Sequence, residues 1–422
     1  MSGTGTGTGT AGPADAGAHE PARAGALEPD RAAGAFEPAH AGGGEPAHAG
    51  TPGAVEVVCL GESMVTFHPT GPGRLADVPG FLRGIGGAES NVACALAGAG
   101  HRTAWVGRVG DDGFGDHLVS AIAGHGVDTS VVHRDPDRPT GVYFRTAADR
   151  ADPDHEVAYY RAGSAASAMS PANAPYDTLF AGRVLHLTGI TAALSADCLA
   201  LMRTLTAQRP GRPLVSFDIN HRPRLWRGHP QGPGVLRDLA RGADVVFVGE
   251  DEAAEAWGVH GPEALRAALP EPAVLVVKRG ADGATVLARP DSTPPGAATD
   301  EITTVPAPRV DVVAAVGAGD AFAAGFLSAT LRGLPVRDRI RHGHLLAAAV
   351  LTVPGDLAHP PARAHADRLA ALDDDAWGRL RLGPGWTGPT GTEATEATEA
   401  ERTDAGRTGA GRPGAAAEGV TG

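Results

Sequence analysis

Six short apolar runs, at 55–60, 104–109, 184–187, 214–218, 244–248 and 273–277, alternate with Ala-rich or amphipathic stretches at 88–99, 114–124, 195–207, 234–241, 250–257, 318–332 and 338–351. No other feature constrains the chain as tightly. The runs are short, rich in Val and Leu and bounded by Gly, Pro or Asp, which is the pattern of strands buried on both faces. Such strands, separated by helices, predict an α/β fold with a doubly wound, mostly parallel sheet and helices on both faces. Three segments break the rhythm: 64–68, 141–146 and 157–161 alternate apolar and polar residues. They read as half-exposed antiparallel strands of a small β-sheet lid, occupying about 64–85 and 140–161.

The ends differ in kind from this core. Residues 1–52 carry Gly-Thr alternation and then a degenerate repeat (HEPARAG, LEPDRAAG, FEPAHAG, GEPAHAG), and the stretch after 383 includes TEATEATEA. Neither buries enough apolar surface to offset chain entropy, so 1–52 and 384–422 are expected as disordered tails around one folded domain at 53–383. The net charge of −13 and the absence of a basic stripe argue against nucleic acid as a partner. No apolar run approaches the ~20 residues of a membrane span, and the first residues lack the charged start and apolar centre of a secretory signal. Cys59, Cys94 and Cys198 form no CxxC pair. They read as reduced core residues of a cytoplasmic protein.

Several familiar patterns lack the context their chemistry requires. GPGWTG at 383–388 matches GxGxxG but has no helix after it. His133-Arg134-Asp135 spells HRD, yet Thr140 stands where a protein kinase needs asparagine, and no DFG follows. Lys278, the only lysine, is followed by Arg279, so there is no Walker A loop. No histidine pair has metal-ligand spacing, and no structural metal is expected.

Gly317-Ala318-Gly319-Asp320 opens a strongly apolar helix. Glycines there permit close backbone approach, and the free amides at the positive end of the helix form an anion pocket. Asp320 in the first turn sets a carboxylate beside that pocket. The pair suits phosphoryl transfer: amides for the charge on the moving phosphoryl oxygens, and a carboxylate for the acceptor's proton. The same residues also fit an ordinary cap ahead of a buried helix. A second glycine-rich helix start, 84–91, offers Gly87 for close approach and Asn91 as donor and acceptor; a tight turn with a packing Asn91 is the plainer reading. Asp218, Asn220 and Arg222 follow a strand end, where open α/β sheets bind ligands, though a strand-end salt bridge would use the same residues. Arg145, Arg161 and Arg222 are candidates for gripping an anion through forked hydrogen bonds.

Taken together, GESMVTFHP (61–69), GGAESNVACALAGAG (86–100), VGRVGDDGFG (106–115), DINHRPRLW (218–226), VVKRGADGA (276–284) and VGAGDAFAAGFL (316–327) resemble the ribokinase-like carbohydrate kinases of the PfkB family, in family order over nearly all of 55–372. The resemblance implies ATP-dependent phosphorylation of a sugar hydroxyl with Mg²⁺. YFR (143–145), YYRAGSAAS (159–167) and PGD (354–356) look most like 2-keto-3-deoxygluconate kinases. By that resemblance Gly87 and Asn91 contact the sugar acid, with Asp218 and Asn220 in the same site. Tyr143, Arg145, Arg161 and Arg222 orient it, the three arginines requiring an anion to compensate them, and Asp356 bonds a hydroxyl. Asp320 is the general base, and Gly317, Ala318 and Gly319 form the anion hole. Glu252 helps to position Mg²⁺ through water. Lys278, Gly280, Gly283 and His344 fall in the nucleotide-binding region. Ala314-Ala315 replace the family's Asp-Thr, which argues against a monovalent-cation site; Gly249 and His344 replace asparagines.

The expected function is thus an ATP-dependent sugar-acid kinase acting on a primary hydroxyl of 2-keto-3-deoxygluconate or a close relative. Alternatives of the same fold are a kinase for a neutral sugar such as fructose, ribose or 5-dehydro-2-deoxygluconate, and a catalytically impaired sugar sensor. Lids of this family often dimerise, so a homodimer or higher homo-oligomer is a further expectation.

Overall fold

The computed structural model describes Gly3 and residues 54–71, 73–146, 156–290 and 300–388. Apart from Gly3 and 384–388, the two expected tails lie outside the described residues. Within 384–388 the chain forms a turn that buries Trp386 against the core, so GPGWTG has a packing role.

The first half of the chain runs β1 (Val57–Leu60), β2 (Met64–Pro69), β3 (Phe81–Gly86), α1 (Ala88–Gly98), β4 (Thr103–Val106), β5 (Arg108–Gly110), α2 (Gly113–Gly124), β6 (His133–Asp135), β7 (Val142–Arg145), β8 (Val157–Tyr160), α3 (Tyr176–Leu179), β9 (Val184–Thr188), α4 (Gly189–Ala192) and α5 (Ala196–Thr206). It continues with β10 (Leu214–Asp218), α6 (Pro223–Trp226), α7 (Gly234–Arg241), β11 (Val245–Gly249), α8 (Glu250–Trp257), α9 (Pro262–Ala268), β12 (Val274–Lys278), β13 (Ala284–Ala288), β14 (Glu301–Val305), β15 (Arg309–Val310), α10 (Ala318–Leu331), α11 (Val336–Leu351), α12 (Arg363–Ala370), α13 (Asp374–Arg379) and β16 (Arg381–Leu382).

The main sheet has the order β14-β13-β12-β11-β10-β9-β1-β4. Its six strands from β12 to β4 are parallel, and β13 and β14 extend it as an antiparallel edge. Alternate strand residues feed two apolar layers. Cys59, Val184, Phe247 and Val276 pack with α1, α2, α10 and α11 on one face, and Leu60, Leu185, Phe217 and Val277 with α5, α7 and α9 on the other. This two-sided burial is why the strands read as Val- and Leu-rich runs rather than alternating ones. From β1 the chain crosses outward to β4 and later returns to β9 on the opposite side. The sheet therefore has its topological switch point between β1 and β9, and ligands of open α/β sheets bind beyond the strand ends at such a point.

The lid is a four-stranded sheet, β3-β2-β7-β8. Its outer pairs are antiparallel as expected, but β2 and β7 run parallel, because the chain passes through β4 to β6 before returning. Two further differences have local causes. The run at 104–109 is two strands, broken at Gly107, whose backbone packs against the Trp105 ring and the Gly61 carbonyl. The edge strands β13 and β14 escaped the pattern because β14, EITTV, is largely exposed and polar on alternate residues. Among the described residues no helix is long and apolar enough to cross a membrane.

Helices α10 and α11 approach each other closely where Gly325 faces the His342 carbonyl; a Cβ there would lie 2.3 Å from that oxygen. Backbone cannot yield as a flexible side chain can, so Gly325→Ala is expected to destabilise the fold by about 1–3 kcal/mol, measured by urea unfolding. Unchanged stability would show that the helix pair adjusts freely.

Candidate active site

The site begins with the turn into α10. Gly317 has φ +78°, a left-handed conformation that suits glycine, and a Cβ would lie 2.3 Å from the Asp356 carbonyl oxygen. The amides of the following first turn have no carbonyl partner within the helix and remain available to an anion. Asp320 stands in that turn. Its Oδ2 accepts a 2.9 Å hydrogen bond from Asn91 Nδ2 in α1, and its Oδ1 a weaker 3.4 Å contact from Asn220 Nδ2. Asn220 has φ +43°, the one non-glycine residue with positive φ among those described. Backbone strain of this kind collects where a chain must aim a side chain.

Beside the carboxylate lies a second charge pair. Lys278, at the end of β12, donates to both oxygens of Asp218, at the end of β10, at 2.7 and 3.0 Å. The strand-end salt bridge is therefore real. A Cβ on Gly319 would lie 3.6 Å from Lys278 Nζ, so the ammonium sits against the glycine turn. Burial alone would lower the Lys278 value, but Asp218 and Glu252 hold it above the ordinary one. Asp320 is pushed up to about 6, chiefly by burial. The Asn91 hydrogen bond opposes that rise, Asp218 adds to it, and Arg222 and Lys278 oppose it.

The arginines require a correction, because each has its own carboxylate. Arg145 bonds Asp356 Oδ1 at 3.0 Å, and Tyr143 donates to Asp356 Oδ2 at 2.9 Å. Arg161 pairs with Glu62, whose other oxygen accepts from Ser164 at 2.6 Å. Arg222 lies 3.6 Å from Glu252 Oε1. The three do not form one uncompensated cluster. What remains unmet is narrower: the buried Nε atoms of Arg145 and Arg161 and the buried Oδ1 of Asn91 lack hydrogen-bond partners.

Three further sites are shaped by packing or turn geometry. Gly87 serves close backbone contact: a Cβ would lie 2.4 Å from the Glu62 carbonyl oxygen. Gly280 (φ +55°) and Gly283 (φ +104°) shape the turn from β12 to β13, Gly283 because a Cβ would lie 2.2 Å from the Val305 carbonyl oxygen. His344 is buried, bonded to the Val305 carbonyl at 3.3 Å and packed against the rings of Phe322 and Trp377. Burial drives it down to about 4, so it is neutral.

Glu252 fits water-mediated support of a cation. Its Oε2 caps α8 through the Gly249 amide at 3.0 Å, and its side chain remains partly accessible. No cluster of three or more acidic, histidine or cysteine groups suited to enclosing a metal occurs among the described residues. Such a donor set suits an ion carried largely by phosphates and water. Sequence reasoning missed Glu62, Ser164 and Glu89. The available signal was a lone acid inside the small-residue runs GES and GGAES.

The family follows from comparison with known proteins. Residues 55–363 match the model of the pfkB family carbohydrate kinases. The chain belongs to that family. It is 36% identical over 321 residues to 2-dehydro-3-deoxygluconokinase of Bacillus subtilis (strain 168), covering 75% of this chain and 95% of the relative. With the 2-dehydro-3-deoxygluconokinase of Thermoproteus tenax it shares 32% identity over 318 residues, covering 75% and 94%. The crystal structure of a PfkB protein from Polaromonas sp. JS666 superposes with TM-score 0.64 at 33% identity, covering 75% of this chain and 99% of that one. The protein is a carbohydrate kinase, and the ribokinase-like fold expected from the sequence is the fold observed.

Were Asp320, at about 6, the base, kcat/KM for the sugar at saturating MgATP should rise with unit slope below about that pH and level off above it, since only the deprotonated carboxylate accepts a proton. A steady-state profile from about pH 5 to about pH 8 checks this; a flat profile there would contradict the assignment.

Proposed function

We propose that this kinase transfers the γ-phosphoryl group of ATP to a primary hydroxyl of 2-keto-3-deoxygluconate or a closely related sugar acid. The observation that carries the reading is the joining of Asp320, through Asn91, to the start of α1, with Lys278 against the glycine turn. Asp320 accepts the proton of the acceptor hydroxyl, whose oxygen then attacks the γ-phosphorus as the bond to the ADP oxygen breaks. The amides at Gly317, Ala318 and Gly319 and the Lys278 ammonium meet the charge of the phosphoryl oxygens in transit. Mg²⁺, when bound, would neutralise charge on the donor phosphates, with Glu252 holding one of its waters. The turn at Gly280 and Gly283 would lie along the nucleotide.

For the acceptor, the unmet Asn91 Oδ1 and the Nε atoms of Arg145 and Arg161 are the buried polar groups left to bond a sugar acid. Asp356 holds Tyr143 and Arg145 of the lid and lends its carbonyl to the packing of Gly317, so it ties lid to anion hole. A neutral acceptor is the second reading, favoured by the internal pairing of Arg145 with Asp356 and Arg161 with Glu62. Ahead of the glycine turn, the Val313 and Ala314 amides bond the Leu351 carbonyl at 2.7 and 3.3 Å. The backbone there is held without the missing Asp-Thr side chains, which supports retained activity without a monovalent-cation site. A second copy of the chain would bind across exposed Leu82 and Tyr160 on the lid's outer strands.

A panel of sugars with MgATP, followed by ADP release, tests the substrate. The sugar acid should exceed fructose and ribose in kcat/KM by roughly a hundredfold or more. Arg161→Lys, which keeps the charge facing Glu62 but loses the fork, should erode that preference while leaving the KM for ATP nearly unchanged. A neutral sugar preferred by the unaltered enzyme would overturn the acid assignment.

A further inference from the structure

The switch point of the sheet is occupied by a carboxyl group that the transfer chemistry above does not use. Glu89, in the first turn of α1, is fully buried. Its Oε1 accepts hydrogen bonds from Thr188, the last residue of β9, and from Thr191 in α4, both at 2.8 Å. Its Oε2 is buried without a hydrogen-bond partner. Gly61, just past β1, lies flat against the group: a Cβ there would fall 2.0 Å from the carboxyl carbon. Among the described residues no arginine, lysine or histidine pairs with it. A buried carboxylate without a cation or a full set of donors is costly, and such a group keeps its proton instead.

We propose that Glu89 is a positioning residue for phosphoryl transfer: as a neutral acid it pins the first turn of α1, and with it Asn91, to the ends of β1 and β9, and so keeps a second negative charge away from Asp320. The neighbours are consistent. From β1 the titrating group is Cys59, whose own thiol burial and Glu89 push up. From α10 it is Asp320. Behind Asp320 stand Asp218, Lys278 and Arg222. β9 presents the Thr188 hydroxyl and, two residues earlier on the same face, His186, which burial drives down to about 3 so that it stays neutral, and α4 presents the Thr191 hydroxyl. Burial pushes Glu89 up to about 7, the threonines opposing and the Asp320 charge adding to the rise. The group is therefore poised to ionise just above neutrality. The site already holds Asp320, Asp218 and Glu252 and must admit phosphates, so a further charge would weaken anion binding, and bound anion would in turn raise the Glu89 value by the same coupling.

The test compares the intact enzyme with Glu89→Gln and Glu89→Ala from about pH 6 to about pH 9. MgATP is the varied substrate, so the result does not depend on which sugar is preferred. In the wild type the KM for MgATP should climb by roughly fivefold or more as Glu89 ionises. In Glu89→Gln, whose amide oxygen still accepts from both threonines but cannot ionise, that climb should vanish, and kcat should fall less than in Glu89→Ala. A Gln variant whose KM rises with pH as the wild type's does would overturn the proposal. Should Glu89→Ala fail to fold, wild type minus Glu89→Gln infrared spectra decide. A protonated-carboxyl band at about pH 6 that is gone by about pH 9 supports the proposal, and its absence at the lower pH overturns it.

Discussion

One hydrogen bond, from Asn91 to Asp320, joins two glycine-rich helix starts that are 229 residues apart in the chain. It holds the Asp320 carboxylate at the head of α10 and ties α1 to it at the same time. Everything else in the site is arranged about this contact. Gly317 must be left-handed for the turn to bring its amides round beside the carboxylate, and the Asp356 carbonyl fills the space a side chain would take. Asn220 adopts a strained backbone and contributes a second, longer contact to Asp320. Two parallel-sheet strands, β10 and β12, deliver Asp218 and Lys278 to the same edge.

Charge balance explains the remaining geometry. The pocket brings Asp218, Asp320 and Glu252 together and must still accept a polyanion. Lys278 answers Asp218, Arg222 stands by Glu252, and Asn91 supplies a donor to Asp320 without a charge. In the lid the same economy recurs, with Arg145 on Asp356 and Arg161 on Glu62. These pairs are buried, where removal of one partner is costly because the other is left alone. They couple lid strands to the main domain and leave a few buried donors unmet.

Much of this was legible from the sequence. The Val- and Leu-rich runs identified the parallel sheet because both its faces are covered, and alternation marked the lid because only one lid face is. The two glycine-rich helix starts were legible as candidate ligand sites because small residues allow close backbone approach beside an acid or amide, although the same residues also fit plain caps. The exposed edge strand β14 was not, since neither pattern applies at a sheet edge, and the short buried β13 beside it went unread with it. The pairing of charges also escaped notice. Arg145, Arg161 and Arg222 are read in sequence as cations needing an anion, whereas their carboxylates lie far along the chain, Asp356 being 211 residues from Arg145. Glu89 was hidden for the opposite reason: its partners are threonine hydroxyls and a glycine, which carry no charge signal.

The account rests on the Asp320 carboxylate acting as base in a pocket that binds both substrates without it. Turnover by Asp320→Asn, measured beside calorimetric binding of MgATP and of the sugar, examines this most directly. A fall in kcat of roughly a thousandfold with both affinities retained is the predicted result. Turnover near that of the wild type would contradict it.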